Sequence, residues 1–179
     1  MIFLEDDRIR LRAVEPEDSS HICMIENDSR QWRENGMMGP YSMHNIRHYA
    51  ETYDPDPIRC GQIRMVIEVK EETDNSRIAG LIDLYDISPS GRTAFVGVYV
   101  SDEFRGKGIA ARALAKMEEY ACMLLNLRIL ASKVSEKNSE SINLFEKAGY
   151  EKAGELPGWL MSGKETFSLL IYLKNLDCL

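Results

Sequence analysis

The chain of 179 residues lacks several features that would assign it to a common functional class. No apolar run approaches the length of a membrane span, and Met1–Asp7 lacks the basic start of a signal peptide. The net charge is −7, since 29 acidic residues outnumber 22 Lys and Arg, so there is no cationic surplus for general nucleic-acid binding. We therefore expect a cytoplasmic protein that binds neither membranes nor nucleic acids.

Metal-binding and disulfide patterns are also absent from the sequence. The four cysteines form no Cys-x-x-Cys pair, so neither a zinc site nor a disulfide framework is indicated. Cys122 lies in a predicted helix and is expected to pack in the protein core. His44 and His48 have the i, i+4 spacing of metal ligands on a helix, but no third ligand completes a motif. We predict no metal site and place both histidines on the surface.

Composition and periodicity predict one folded domain that spans residues 1–179. Hydrophobic residues make up 44% of the chain and charged residues 28%, as in ordinary globular proteins. Alternating patterns and turn signals predict the element order βααβββαβαββ, with the second to fourth strands in an antiparallel meander and the fourth and fifth parallel. The predicted strands lie at 8–14, 62–70, 78–87, 94–100, 127–134, 150–155 and 166–174, and the helices at 16–27, 42–53, 109–125 and 139–148.

The segment 98–110 is the most informative, because an apolar strand leads into a glycine-rich basic loop and then directly into a long amphipathic helix. A helix start carries free N–H groups and a partial positive charge. Gly106 and Gly108 let the backbone turn its amides inward and let a ligand approach closely. Three nearby cations add positive charge, namely Arg105, Lys107 and Arg112. The segment therefore predicts a site for a phosphorylated ligand, although such a turn can also be a connection that binds nothing.

The spacing within this loop distinguishes between phosphate-binding motifs. A nucleotide P-loop needs Ser or Thr after its Lys, but Lys107 is followed by Gly108. The dinucleotide fingerprint needs a third glycine where this chain has Ala111, and an acidic residue about twenty positions on is missing. The pattern that fits is R-x-x-G-x-A, formed by Arg105, Gly108 and Ala110. This resembles the acetyl-CoA diphosphate loop of the GNAT superfamily of N-acetyltransferases.

A second motif follows about thirty residues later in the sequence. Asn138 is a good helix N-cap, Ile142, Phe145 and Ala148 form an apolar stripe, and Gly149 suits the position after the helix end. The segment resembles the GNAT strand–helix unit that ends in N…L-[YF]-E-K-x-G-[FY]. In that family the Asn touches the pantetheine or phosphate region of the cofactor.

The two motifs in this order imply the GNAT fold over nearly all of the chain. That fold is an α/β (α+β) structure, a mixed, mostly antiparallel twisted sheet of about six to seven strands flanked by helices. The resemblance implies acetyl-CoA as co-substrate and a primary amine as acceptor. The cofactor-binding positions that it carries over are Val98, Val100, Arg105, Gly106, Lys107, Gly108, Ile109, Ala110 and Asn138.

The acceptor remains open at this point. Residues 10–13 and 80–110 look most like the branch that contains spermidine and ribosomal-protein N-terminal acetyltransferases. A polyamine, a protein N-terminus and another small amine are possible acceptors, and relatives often form homodimers. The negative net charge suits a cationic acceptor, but Phe95 stands where polyamine-acetylating relatives carry a second acidic residue. The alternatives are a non-catalytic acetyl-CoA-binding sensor or interaction domain of the same fold, and a scaffold whose glycine loop is only a turn.

Acetyl transfer to an amine requires a proton acceptor and donors for an oxyanion. An amine with a pKa of about 10 is almost fully protonated at neutral pH, so a general base promotes its attack. Asp83 matches by position an acidic residue of polyamine-acetylating relatives and is the predicted base, or else a solvated carboxylate on a strand face. A backbone N–H within 96–100 would stabilise the oxyanion by resemblance. Because Phe145 replaces the acid Tyr of many relatives, the thiolate leaves unassisted or Tyr99 or Tyr150 protonates it.

Two aromatic regions are candidates for contact with the acceptor. The loop after the first helix could line the acceptor pocket or pack in the core, with Trp32, Met37, Met38 and Tyr41 as its large side chains. Trp159 lies between the last two predicted strands, where it could cover the acceptor or a dimer partner.

Overall fold

The strands and helices follow the predicted order along the chain. The computed structural model describes residues 4–30, 32, 39–71 and 76–176. The strands are β1 Ile9–Ala13, β2 Ile63–Lys70, β3 Ser76–Ser88, β4 Thr93–Val100, β5 Ile129–Ser135, β6 Glu151–Ser162 and β7 Glu165–Asn175. The helices are α1 Ser19–Glu26, α2 Met43–Glu51, α3 Pro57–Cys60, α4 Ile109–Met123 and α5 Ser139–Lys147, with 3-10 turns at Pro16–Asp18 and Asp102–Phe104. The strand order β1-β2-β3-β4-β5-β7-β6 in a seven-stranded sheet confirms the predicted α/β class.

Side-chain caps fix where two of the helices begin. The Ser42 hydroxyl accepts from the Asn45 N–H at 3.1 Å, which starts α2 as the sequence predicts. The helix α3 departs from the prediction, because no element is predicted between the helix at 42–53 and the strand at 62–70, where the Asp-Pro-Asp-Pro segment 54–57 lies. Asp56 Oδ1 accepts from the N–H groups of Ile58 at 3.0 Å and Arg59 at 3.1 Å, so the same segment caps a new short helix.

Residues up to Val14, Asp54–Leu130 and the stretch from Asn175 form one compact unit. Its strands β1 to β4 pair antiparallel with one another in chain order, which confirms the predicted meander of the second to fourth strands. The helix α4 packs against β1, β3 and β4. The fully buried side chains of α4 are Ala113, Leu114, Met117 and Ala121. The core of this unit therefore lies between α4 and the strands β1, β3 and β4.

The second compact unit combines Glu15–Tyr53 with Ala131–Lys174. In it, β6 and β7 are antiparallel around a small cluster that contains Leu160 and Phe167. The strand β6 is longer than the predicted 150–155, because the pairing slips between Leu156 and Leu160. Such a bulge accommodates a proline that cannot donate to the ladder. The expectation of one domain over residues 1–179 stays a prediction.

The prediction for Cys122 and the prediction for the two histidines had different outcomes. Cys122 is only partly buried on α4 and takes part in a disulfide bond, so the expectation of no disulfide was wrong for this residue. His44 and His48 are both exposed on α2. In the described part of the chain, no group of three or more potential metal ligands is found. None of the described helices is long and apolar enough to cross a membrane.

Candidate active site

The glycine loop connects β4 to α4 through two left-handed residues. Gly106 has φ +69° and Gly108 has φ +77°, a conformation that side-chain-bearing residues rarely adopt. A Cβ added at either position would meet nothing within 4 Å. Backbone conformation, rather than crowding, therefore requires glycine here, and the space beside the loop is open.

In the part of the chain that the structure describes, the main-chain donors of residues 106–111 have no protein acceptor. Among the described residues, the N–H groups of 106–111 form no hydrogen bond, and the first amide bonded at the start of α4 is that of Arg112, which donates to Gly108 O at 3.1 Å. No side chain of the described residues caps the helix at Gly108. Successive open amides at the positive end of a 15-residue helix are typical of anion-binding sites. The loop predicted from the sequence thus has the donors that a diphosphate requires.

The three cations near this loop differ in their partners, so the positive charge that they were expected to add is not equally available at the loop. Arg112 NH1 lies 2.8 Å from both Asp6 Oδ2 and Asp7 Oδ1. Hydrogen bonds to these two carboxylates raise the pKa of Arg112. Its charge is therefore balanced within the protein, and the residue ties α4 to the segment before β1.

Arg105 turns back toward the strand that precedes the loop. Its Nε donates to Val100 O at 2.9 Å, and its NH1 lies 3.3 Å from Asp102 Oδ1. Lys107 instead lies with its Nζ 5.6 Å from the centre of the Phe104 ring. Within the described chain no carboxylate pairs with Lys107, so its charge is the one the protein leaves unbalanced at the loop.

The side of β4 that faces away from β3 presents the main chain of Val98 and Val100. Ser101 N–H donates to Ala79 O at 2.8 Å, and the two strands stay in register up to this point. Since hydrogen-bonded and non-hydrogen-bonded pairs alternate in antiparallel strands, the N–H groups of Val98 and Val100 point away from β3. The Val100 carbonyl is taken by Arg105, so a side chain fills the acceptor that a neighbouring strand would use there.

Asp83, the predicted base, is held by a guanidinium from the adjacent strand. It lies opposite Arg64 on β2 and Gly97 on β4. Arg64 Nε donates to Asp83 Oδ1 at 2.7 Å and NH2 donates to Oδ2 at 3.0 Å, a bidentate pair in which Asp83 is 27% exposed. Sequence reasoning missed Arg64, because only the strand register brings it beside Asp83. The role of Asp83 stays a prediction.

Three aromatic residues lie near Asp83 on the β3–β4 pair. The rings of Tyr85 and Phe95 stack with their centres 5.5 Å apart. Burial and the charges of Asp86 and Asp83 raise the pKa of Tyr85 to about 12, so its phenol is neutral at physiological pH. Tyr99, the predicted acid, lies on β4 with its ring centre 5.9 Å from the guanidinium carbon of Arg105.

The second motif folds as its capping pattern predicts, within the unit that contains Ala131–Lys174. Asn138 Oδ1 accepts from Ser141 N–H at 3.0 Å and starts α5. Phe145 is 3% exposed and meets the Tyr150 ring edge to face at 5.0 Å. Phe145 is therefore a core residue of this unit. The predicted cofactor contact of Asn138 stays a prediction.

The segment after α1 is anchored to the end of that helix, and Trp32 itself is helical, so the expectation of a loop was wrong at this residue. Trp32 Nε1 donates to Glu26 O at 2.7 Å. Asn27 exchanges two hydrogen bonds with the backbone of Tyr41, at 2.8 and 2.9 Å. Sequence reasoning missed Asn27, and Met37 and Met38 lie outside the described residues. Trp159, the other aromatic candidate, is 66% exposed on β6.

Comparison with known proteins points to one family. The family model described as an acetyltransferase (GNAT) domain matches residues 8–151. The chain is 30% identical over 151 residues to spermidine N(1)-acetyltransferase of Escherichia coli K12, which covers 83% of this chain and 75% of the relative. Spermidine N-acetyltransferase from Vibrio cholerae, solved in complex with CoA and spermine, has a similar fold with TM-score 0.84 at 20% identity, covering 97% and 98% of the two chains. A dodecameric structure of the Vibrio enzyme has TM-score 0.76 at 20% identity, covering 96% of each chain.

Proposed function

The chain belongs to the GNAT acetyltransferase family, whose members move an acetyl group from acetyl-CoA to an amine, and on this premise we propose that its acceptor is the primary amine of a polyamine. The observation that carries the activity is the run of open N–H groups at 106–111, which suits the diphosphate of CoA. The polyamine acceptor is supported by the spermidine acetyltransferase relative. A net charge of −7 also favours a cationic acceptor over an anionic one.

The cofactor would be held mainly by the backbone. We propose that the loop from Arg105 to Ala110 binds the diphosphate, with Lys107 as its charged side chain. The N–H groups of Val98 and Val100, which point away from β3, would pair with the pantetheine arm as an added strand does. Asn138 is proposed as a further contact from the family resemblance alone.

The reaction would proceed by direct attack in a ternary complex. The amine nitrogen forms a bond to the thioester carbonyl carbon, and a β4 backbone N–H within 96–100 stabilises the oxyanion. Asp83 accepts the proton of the amine, directly or through water, while Arg64 fixes the orientation of the carboxylate. The C–S bond then breaks, and CoA departs as a thiolate whose conjugate thiol has a pKa of about 8.5. Tyr99 is the proposed proton donor to that sulfur, since Phe145 cannot serve.

A non-catalytic acetyl-CoA sensor is the second candidate, and one observation favours it. Both oxygens of Asp83 are bonded to Arg64, which would suit a carboxylate kept for structure. The two functions differ in turnover and share the binding of CoA. A sensor binds CoA and releases no thiol with any amine.

The test combines calorimetric CoA binding with a thiol-release assay on spermidine, spermine and short peptides. We expect CoA binding together with acetyl-CoA-dependent, polyamine-dependent thiol release. Binding without turnover on any amine would establish the sensor. Absence of CoA binding would leave the glycine loop as a simple turn and remove both candidates.

We also propose that the chain forms a homodimer through β6. This strand ends the sheet order, and its Trp159 and Met161 side chains are 66% and 69% exposed. Large exposed apolar side chains on an edge strand are typical of an interaction surface. Sedimentation of wild-type protein and of W159E checks this, with the variant expected to be monomeric. Wild-type protein that sediments as a monomer at micromolar concentration would contradict it.

A single domain over 1–179 in the cytoplasm completes the proposal. The family model spans residues from both compact units, which supports one functional domain. Disulfides are rare in the cytosol, so the disulfide bond of Cys122 is the observation that stands against this location. Thiol trapping at lysis, followed by counting of alkylated cysteines, tests the location, and a bonded Cys122 in the cell would contradict it.

A further inference from the structure

Gly80 on β3 and Gly97 on β4 differ in whether the structure requires a residue without a side chain. A Cβ added at Gly80 would lie 1.9 Å from Tyr99 O, so the approach of the two backbones requires glycine there. A Cβ added at Gly97 would meet only Tyr85 Cε1, at 3.7 Å, an ordinary van der Waals contact. Gly97 also lies outside the left-handed region. Neither backbone conformation nor crowding therefore accounts for Gly97, although glycine weakens a strand.

The missing side chain leaves a space with a defined lining, here called the glycine notch. Asp83 is registered directly opposite Gly97, and Tyr85 is opposite Phe95. Since alternate residues of a strand and directly paired residues project to the same face, Phe95 and Tyr99 flank Gly97 on β4, and Tyr85 follows Asp83 on β3. The notch is thus bounded by one carboxylate and three aromatic rings.

This lining suits an alkylamine. Aromatic faces attract cations and pack against methylene groups, as the stacked rings of Tyr85 and Phe95 could do here. Arg64 donates one hydrogen bond to each oxygen of Asp83, and a carboxylate oxygen can accept a second. The pair is neutral overall, so the notch can hold an amine without trapping it in its charged, unreactive form.

The notch is also close to the proposed site of acetyl transfer. Gly97 is the residue before Val98, whose N–H points away from β3, and consecutive Cα atoms are about 3.8 Å apart. An amine in the notch would lie beside the stretch of β4 that is proposed to hold the thioester. We propose that the glycine notch binds the amine-bearing alkyl end of the acceptor and that Gly97 sets the size of that end. This inference rests on the proposed acetyl transfer.

The test adds single side chains to the notch and measures each substrate separately. At saturating acetyl-CoA, we expect G97A to lower kcat/KM for spermidine about 10-fold and G97V about 100-fold, because small additions to a fitted pocket have effects of this order. Calorimetric Kd for CoA should change by less than about 2-fold, since the diphosphate loop is untouched. The melting temperature should stay level or rise, because a Cβ favours a strand.

The matched control is Gly154 on β6, whose added Cβ meets nothing within 4 Å and which also lies outside the left-handed region. G154A should leave the spermidine kcat/KM and the CoA Kd unchanged, and its melting temperature should stay level or rise for the same reason as in G97A. If G97V fails to fold, G97A decides the question.

The outcomes separate the notch from the proposed function. Wild-type protein that binds no CoA, or that binds CoA but acetylates no amine, overturns the proposed function and the notch with it. Wild-type protein that acetylates spermidine, with G97A and G97V equally active, overturns the notch alone. Equal losses of CoA affinity and spermidine kcat/KM in G97A would also overturn it, because the notch would then belong to the cofactor.

Discussion

The glycine loop at 105–111 and the sheet face around Asp83 lie in the same compact unit, yet they would work through different parts of the chain. The loop offers main-chain N–H groups, while two of its three cations are bonded to the protein itself. The sheet face offers side chains, which come from three strands and are paired with one another. A backbone site therefore depends on local conformation, whereas a side-chain site depends on register.

Removing the carboxylate of the sheet face should have the largest effect. We expect D83N to lower kcat at pH 7 by about 100-fold, as loss of a general base does. The deficit should shrink as pH rises toward 10, because the amine then loses its proton without help. The pH–rate profile of D83N against wild type, with CoA Kd measured in parallel, checks this.

The matched control for D83N is R64Q, which breaks the same ion pair and keeps the carboxylate. It should give a smaller loss of kcat that does not vary with pH. Superimposable profile shapes for D83N and wild type would remove Asp83 from the proton transfer and leave it a structural partner of Arg64.

Removing a single backbone N–H of the loop should weaken CoA binding nearly as strongly as D83N lowers kcat. A110P deletes one N–H in the first turn of α4, where proline is tolerated. Because a hydrogen bond to a charged group contributes about 1.5–3 kcal/mol, we expect CoA Kd to rise roughly 10- to 100-fold. The variant A110S keeps the N–H and should bind normally. Equal affinities of A110P and wild type would show that side chains hold the diphosphate.

The loss of CoA affinity on removing each cation of the loop should depend on whether a carboxylate already pairs with that cation. Its distance from the loop in sequence should matter less. K107Q should raise CoA Kd by about 3- to 10-fold and weaken its dependence on salt, since it removes the charge that no carboxylate of the described residues balances. R112Q is the matched control, because Asp6 and Asp7 already balance Arg112. Isothermal titration at several salt concentrations checks both. A larger loss in R112Q than in K107Q would reverse the assignment.

The difference between local conformation and strand register also explains how much of the fold and of the site the sequence could predict. The meander, the glycine loop and the Ser42 and Asn138 caps follow from local pattern, and the structure has all of them. The Arg64–Asp83 pair joins residues on separate strands, so no local pattern contains it. The partners of Arg112 lie more than one hundred residues earlier in the chain. Local chemistry predicted the donors of the loop, and only the fold determined which charges remain available.

Local sequence patterns also missed two features, the start of α3 and the end of β6. The Asp-Pro-Asp-Pro stretch that ends α2 also starts α3, because Asp56 caps a new turn while its neighbouring prolines stop the old one. On β6, Pro157 and Gly158 indicate a turn, but a register slip lets the strand continue. Both differences arise because the pairing partner, which the local sequence does not specify, decides the outcome.

The smallest expected effect concerns Tyr85, whose state depends on burial within the sheet face. Its pKa of about 12 lies above the ordinary value of 10, so the unfolded chain releases this proton more readily than the folded protein. Stability from this group is full below pH 10 and is lost as pH rises toward 12. Between pH 8 and pH 11, wild-type protein should lose about 1 kcal/mol more free energy of unfolding than Y85F. Urea unfolding at the two pH values checks this, while thiol release at pH 7 should change less than about 3-fold, because the phenol stays neutral there. Parallel losses in the two proteins would mean that solvent reaches the phenol, and the glycine notch would then be more open than its aromatic lining indicates.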